Sequence, residues 1–272
     1  MGPTSRLLLP PEELSGCLFA AVVRDTRGAE LNHEDRFNHF PASPLYCITC
    51  TIEGKIRLMP EIVGVEAARD APPLLRVAAT RPTDTPVVSW NDGPVLAISV
   101  GVYPDAWTKL AEGRKISVLL ERVFQSGDDI DGHWAQFCAS LASVWQEVRG
   151  SSTLPDWANV PRLADWSRAL LVRAALAGSG RSVRAVERWI KRRSGQTRQS
   201  LAFYARFEEL HRRSIRAKDK PLTELALDAG YSDQSHMGRA VRRATGFSPA
   251  RLNRLIENEE AFWCYRLLGE RF

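Results

Sequence analysis

Eight side chains in the C-terminal third are of the types that recognise a polyanion. Arg184, Arg188 and Arg192 recur at intervals of four, and Gln234, Ser235, Arg239, Arg242 and Arg243 fall at helical spacing on a second segment. Arg and Gln carry hydrogen-bonding groups that match base edges in a major groove, and Arg also neutralises phosphates. Bond-making chemistry finds no comparable set. The sequence has no glycine-rich phosphate loop, Gly-x-Ser-x-Gly elbow or Cys/His nucleophile pair. Cys47 and Cys50 have a metal-like or redox-like spacing. On a strand of this Ile/Thr content they point to opposite faces, as buried structural thiols, with a thiol or metal sensor as the alternative. His33 and His39, beside Glu34 and Asp35, fit no helical i, i+4 pair and no alternating His-x-His site, and read as a polar loop. No catalytic residue, metal or cofactor is expected, and the chain is not read as an enzyme.

The elements that must present these groups are legible nearby. Leu222, Leu225, Ala226 and Ala229 recur at helical spacing until Gly230, the residue best able to take a positive φ. Ser232 or Asp233 can then cap a second helix, on which Met237, Ala240, Val241 and Ala244 form an inward stripe until Gly246. The opposite side of that helix carries Gln234, Ser235, His236, Arg239, Arg242 and Arg243. The pattern over residues 221–252 is a helix-turn-helix, a unit that lays its second helix in a major groove.

The stretch GYSDQSHMGRAVRRATGFSP resembles the second helix-turn-helix of the AraC/XylS transcription regulators, through its Gly-Tyr-Ser turn, the position of Arg239 and the ending Gly246-Phe247-Ser248-Pro249. The resemblance covers roughly residues 160–257. A shift of 51 positions places Leu222, Ala226, Leu227, Met237, Arg239, Val241, Gly246 and Leu252 on Leu171, Ala175, Leu176, Val186, Arg188, Ile190, Gly195 and Leu201. A divergent first copy thus precedes the second, with a long helix between them from about Thr197 to Ala217. Tandem copies are what the family has. The first copy departs from the pattern: Ser179 stands at the turn glycine, Arg198 at the proline and Trp189 at a small residue. Its helix still exposes Arg184, Glu187, Arg188, Lys191 and Arg192 outside a Val186/Ile190 stripe.

Composition agrees with two domains. The chain has 272 residues, 44% hydrophobic and 25% charged. Residues 151–272 hold 23 of the 37 Lys/Arg and 13 of the 32 Asp/Glu, so a basic back follows a front that is net acidic. Five cysteines, an odd number, fit reduced thiols and a cytoplasmic location. No apolar run reaches the ~20 residues of a membrane helix. Residues 1–16 read as a poorly ordered lead broken at Pro10-Pro11. β-type runs follow from Cys17, Leu45, Lys55, Leu74, Thr85 and Pro94, and then a short DAWTKL helix. Two helices come next, the second with Trp134, Phe137, Leu141, Val144, Trp145 and Val148 near one face, a stripe read as packing inside the chain in preference to a dimer seam. RGSSTLPDWANVP carries the Gly, Ser and Pro of a linker. The apolar tail NEEAFWCYRLLGERF is expected to pack on the second motif or on the front domain.

The expected fold class is therefore α+β multidomain. A β-rich, barrel-like domain with flanking helices spans 1–150, a linker 151–161, and an all-α domain with two helix-turn-helix motifs 162–272. The resemblance implies that the front domain is cupin-like and sensory or oligomerising, although no cupin signature is readable. It implies double-stranded DNA and RNA polymerase as partners and admits a small-molecule effector and a homodimer, with no membrane role. By carry-over, Arg184, Arg188, Gln234, Ser235 and Arg239 read bases, while Arg192, Arg242 and Arg243 hold phosphates. Two rival readings stay open: a helical protein-docking module without DNA binding, and a cupin-type enzyme fused to a regulator.

Overall fold

In LAISVGV, large apolar residues alternate with Ala, Ser and Gly, and this alternation organises the front of the molecule. The structure, a computed structural model, describes residues 2–59, 61, 63–149, 162–177, 182–216 and 220–270. The strands are β1 (Thr4–Leu8), β2 (Leu18–Asp25), β3 (Phe37–Phe40), β4 (Tyr46–Glu53), β5 (Ile56–Met59), β6 (Val77–Thr80), β7 (Val87–Asn91) and β8 (Leu96–Val102). They form two antiparallel sheets, ordered β1-β2-β8-β4-β6 and β3-β7-β5. Leu96, Ile98, Val100 and Val102 of β8 point into the main core, where Ile48 and Cys50 of β4 join them. Ala97, Ser99 and Gly101 point the other way, toward the second sheet, with Cys47 and Thr49 beside them. The two cysteines thus lie on opposite faces, as their spacing on a strand requires, and burial pushes both thiols up.

Short helices α1 (Val65–Asp70) and α2 (Pro104–Lys109) precede α3 (Arg114–Val123) and α4 (Ile130–Arg149). On α4, Trp134, Phe137, Leu141 and Trp145 are buried in the same core as β8, so its aromatic stripe is consumed within the chain. Then come α5 (Leu163–Leu176), α6 (Val183–Ser194), α7 (Arg198–Arg216), α8 (Leu222–Asp228), α9 (Gln234–Thr245), α10 (Pro249–Asn258), a 3-10 turn (Glu260–Phe262) and α11 (Trp263–Glu270). The protein is thus α+β, with a β-rich front and an all-helical back. The inward side of α5 is Trp166, Leu170 and Ala174, while Ala175 and Leu176 of the 51-residue correspondence are exposed. The assigned linker, residues 151–161, and the Gly178-Ser179-Gly180 turn lie outside the described residues.

Two strands correct the sequence reading. The lead contains β1, which pairs with β2 from Thr4↔Asp25 to Leu8↔Ala21. The supposed polar loop contains β3, and His39 on it is buried, stacked on Phe262 at 4.5 Å and 9° and edge-on to Phe247. His33 instead stays on the loop, with Nε2 3.0 Å from Arg69.

Polar contacts join front and back at several places among the described residues, including a Tyr204 hydroxyl that donates to the Thr83 carbonyl at 3.1 Å. Asp105 on α2, buried, accepts from the Trp166 indole at 3.0 Å and pairs with Arg173 of α5 at 3.1 Å. Near the start of α11, the Trp263 indole donates to Asn38 Oδ1 at 2.7 Å, and Glu260 pairs with the buried Arg24 at 2.7 Å. At the end of α9, the Ala42 N–H donates to the Ala244 carbonyl at 2.8 Å and Arg243 pairs with Asp84 at 2.7 Å. The tail therefore packs on both the second motif and the front domain. It reaches the first through Phe262 against Phe247, and the second through Trp263 against Phe40.

Burial among aromatics lowers His39 to about 4. The unfolded value is about 6.5, so between about pH 6.5 and 4 the unfolded chain binds the extra proton and stability falls as the pH falls. This one group accounts for at most about 3 kcal/mol of loss, all of it absent above pH 6.5. Denaturant unfolding at pH 7.5 and pH 4.5 should show that loss in the wild type and less of it in His39→Phe. An equal loss in both would assign the acid sensitivity elsewhere.

Candidate nucleic-acid interface and sensor cavity

Each of the two candidate recognition helices is built the same way. Ser182 caps α6 by accepting the Ala185 N–H at 3.2 Å, and Gly195, at φ +68°, ends it. Asp233 caps α9 by accepting the His236 N–H at 2.7 Å, and Gly246, at φ +82°, ends it. Both caps and both stops stand 51 positions apart, the shift that relates the two sequences. Gly230, at φ +81°, makes the turn of the second unit, a conformation in which a Cβ is strained. Of the two candidate caps for α9, Asp233 does the capping and Ser232 donates to it at 2.9 Å. That contact and the amide of His236 hold the Asp233 carboxyl below its usual range, the amide being the larger cause.

Packing decides which faces remain outside. Met237, Ala240, Val241 and Ala244 of α9 are buried in a core of their own with Leu225 and Ala226 of α8 and Tyr204 and Phe207 of α7. Ile190 of α6 is buried in a different core, the large one shared with the front sheet. Arg184, Arg188 and Arg192 are exposed on α6, and Gln234, Ser235, Arg239, Arg242 and Arg243 are exposed on α9. Spacings of four on α6, and of four then three from Ser235 through Arg239 to Arg242, place each set in one stripe. Gln234 and Ser235 sit at the N-terminal end of α9, where backbone N–H groups and the helix dipole favour an anion. Arg243 differs from the rest. Its guanidinium lies over Phe203 at 4.5 Å and is paired with Asp84 of the front domain.

The sequence reading missed a cavity of about 280 Å³ between the two sheets, α7 and α11. Its floor is the small-residue face of the larger sheet, where the Thr49 and Ser99 hydroxyls, opposite each other in register, lie 2.8 Å apart. Ile56, Leu58 and Val87 face it from the smaller sheet, while Phe207 and Trp263 close it from the helical part. The signal that could have found it is the alternation of small with large residues along Leu96–Val102. No spacing rule connects that strand to Trp263. Among the described residues, no group of three or more His, Cys, Asp or Glu is placed to hold a metal ion.

Comparison with known proteins bears on the helical part. Residues 166–254 match the family model described as a helix-turn-helix domain. No curated protein matches the sequence. Among solved structures, ToxT from Vibrio cholerae is similar at 10% identity over 92% of this chain and 97% of that one, with a TM-score of 0.39. A second, unsaturated-fatty-acid-bound wild-type ToxT from Vibrio cholerae strain SCE256, is similar at 12% identity over 92% and 93%, with a TM-score of 0.38. These are distant likenesses. No helix among the described residues is long and apolar enough to cross a membrane.

Removing the Asp233 carboxylate with Asp233→Ala leaves an orphan N–H at the start of α9 and should lower the unfolding temperature. Thermal unfolding measures it, and a variant as stable as the wild type would mean that the cap contributes nothing. Caps, stop glycines and the matched span agree: residues 166–254 of the chain carry a helix-turn-helix domain of the AraC type.

Proposed function

We propose that this protein is a sequence-specific, effector-responsive transcription regulator that reads two successive major-groove segments of double-stranded DNA through α6 and α9. The observation that carries the reading is the duplication itself. Two helices with matching caps and stops both keep their hydrogen-bonding and cationic faces outside, although each belongs to a different core. A duplicated fold can persist for packing alone, but packing gives no reason for both outer faces to carry arginines.

Held by α7, the two helices would enter the groove about 10 bp apart, so that one chain covers on the order of 20 bp. Arg184, Arg188, Gln234, Ser235 and Arg239 would meet base edges, with Arg192, Arg242 and Arg243 on phosphates. In this reading residues 1–150 sense an effector and can dimerise, 151–161 link, and 162–272 bind DNA. RNA polymerase is the protein partner, the cytoplasm the compartment, and no catalysis is involved.

Two substitutions separate the roles. Arg239→Ala should lose about 1–3 kcal/mol on the preferred site and relax preference at one position, as measured by selection from random duplexes; an unaltered preference removes Arg239 from readout. Arg242→Ala should weaken binding to any duplex alike and reduce the salt slope by about 1. A loss restricted to one sequence would contradict a phosphate role.

A further inference from the structure

We propose that the cavity between the two sheets binds an uncharged, mainly apolar small molecule whose hydroxyl or carbonyl oxygen meets Thr49 and Ser99. This rests on the effector-responsive reading above and names the ligand class of that response. The walls are apolar, and the cavity lies just under the ~300–1,000 Å³ typical of ligand sites. On the floor, two hydroxyls share one hydrogen bond of 2.8 Å, which leaves one hydroxyl proton and lone pairs on both oxygens for a third group. The Cys47 sulfur beside them is a weak partner, 4.0 Å from the Thr49 hydroxyl.

Charge decides against an ionic ligand. Arg24, the cation buried at the cavity wall, is already neutralised by Glu260 at 2.7 Å and donates to Ser5 at 2.8 Å. The Glu208 carboxylate accepts the Leu163 N–H at 2.8 Å. His211, held neutral by burial, donates from Nε2 to the Tyr265 carbonyl at 2.8 Å. Arg81 is exposed to solvent. A carboxylate or ammonium seated on Thr49 and Ser99 would lose its water against two neutral hydroxyls, with the Arg24 charge answered by Glu260 and with Glu208 across the cavity on α7, a cost that neutral hydroxyls do not offset. An uncharged oxygen on an apolar body suffers no such loss.

Titration of the full chain with 1-nonanol, nonanoate and nonylammonium at pH 7.5, followed by tryptophan fluorescence and calorimetry, tests this. Nonanol should bind saturably at one per chain, with both ions at least about tenfold weaker. Thr49→Val should weaken nonanol about fivefold, the size of one net hydrogen bond, and leave oxygen-free butylbenzene unchanged. Val87→Phe, which fills the cavity, should abolish both. Nonanoate binding as well as nonanol, no binding by any probe, or Thr49→Val affecting both probes alike or neither would overturn the proposal. These titrations contain no DNA. Their failure refutes the ligand class, whereas failure of the duplex experiments refutes the regulator reading.

Discussion

The buried pair of Asp105 with Arg173, roofed by the Trp166 indole, is the contact on which the arrangement of the two halves depends. Burial pushes Asp105 up despite the opposing pull of Arg173, and it pushes Arg173 down despite the pull of Asp105. Lost hydration thus outweighs mutual attraction for both partners. Such a pair adds little net stability over a well-packed apolar substitute, yet breaking it leaves an uncompensated charge at a cost of about 3–5 kcal/mol. What it supplies is position. Asp105 lies on a six-residue helix of the front, Arg173 and Trp166 on the scaffold helix of the first helix-turn-helix, and one arrangement satisfies all three. Trp166, Leu170, Ala174 and Ile190 consequently belong to the same core as the front sheet, so the first unit cannot move without disturbing it.

The second unit is attached by different means. Its apolar core includes Ala42 as the buried residue from the front. The Arg243–Asp84 pair is about half exposed on both sides, and pairs of that kind contribute roughly 0–1 kcal/mol. The stronger attachment is indirect. The segment from Glu260 through α11 reaches the front through Arg24, Asn38 and Phe40. It also holds the helical part, since Arg266 donates to the Ile256 and Glu259 carbonyls at the end of α10. The same segment supplies Trp263 to the cavity wall. A change in what fills the cavity therefore acts on a wall continuous with the second unit, while the first stays bound to the sheet.

Most of the second unit was legible because its signals are local. Asp233, Gly230 and Gly246 act through backbone geometry within a turn or two, and Met237 through Ala244 act through helical period. The first copy was legible from its offset of 51 residues, although the inward side of α5 falls on Leu170 and Ala174, because the Asp105 contact sets its rotation from outside. The strands rich in Ile, Val and Thr announced themselves by alternation. β1 and β3 did not. One sits beside Pro10-Pro11, the other inside a charged stretch, and each is fixed by a partner distant in sequence. Asn38 illustrates the difficulty: its side chain reads as a loop residue until Trp263, 225 residues away, donates to its Oδ1. The interior of the β-rich part had the same limit, since a cavity exists only once two sheets face each other.

The small residues at Ala97, Ser99 and Gly101 also bear on why the interior is hollow. Larger side chains at Ala97 and Ser99 would take up part of the space, and β8 already tolerates Leu, Ile and Val on its opposite face. At about 24 cal/mol per Å³ for unfilled apolar space, 280 Å³ left empty and dry forgoes on the order of 7 kcal/mol, less where water enters. That is comparable with the whole stability of many domains. Packing accounts for Gly101, where a Cβ would stand 3.2 Å from Leu45 Cδ1, but not for Ser99, whose small side chain leaves the floor open to a ligand that restores the missing contacts. Because Phe207 and Trp263 complete the same wall, those contacts would be made partly with the helical half, and the stability gained on filling the cavity would be shared between the two halves.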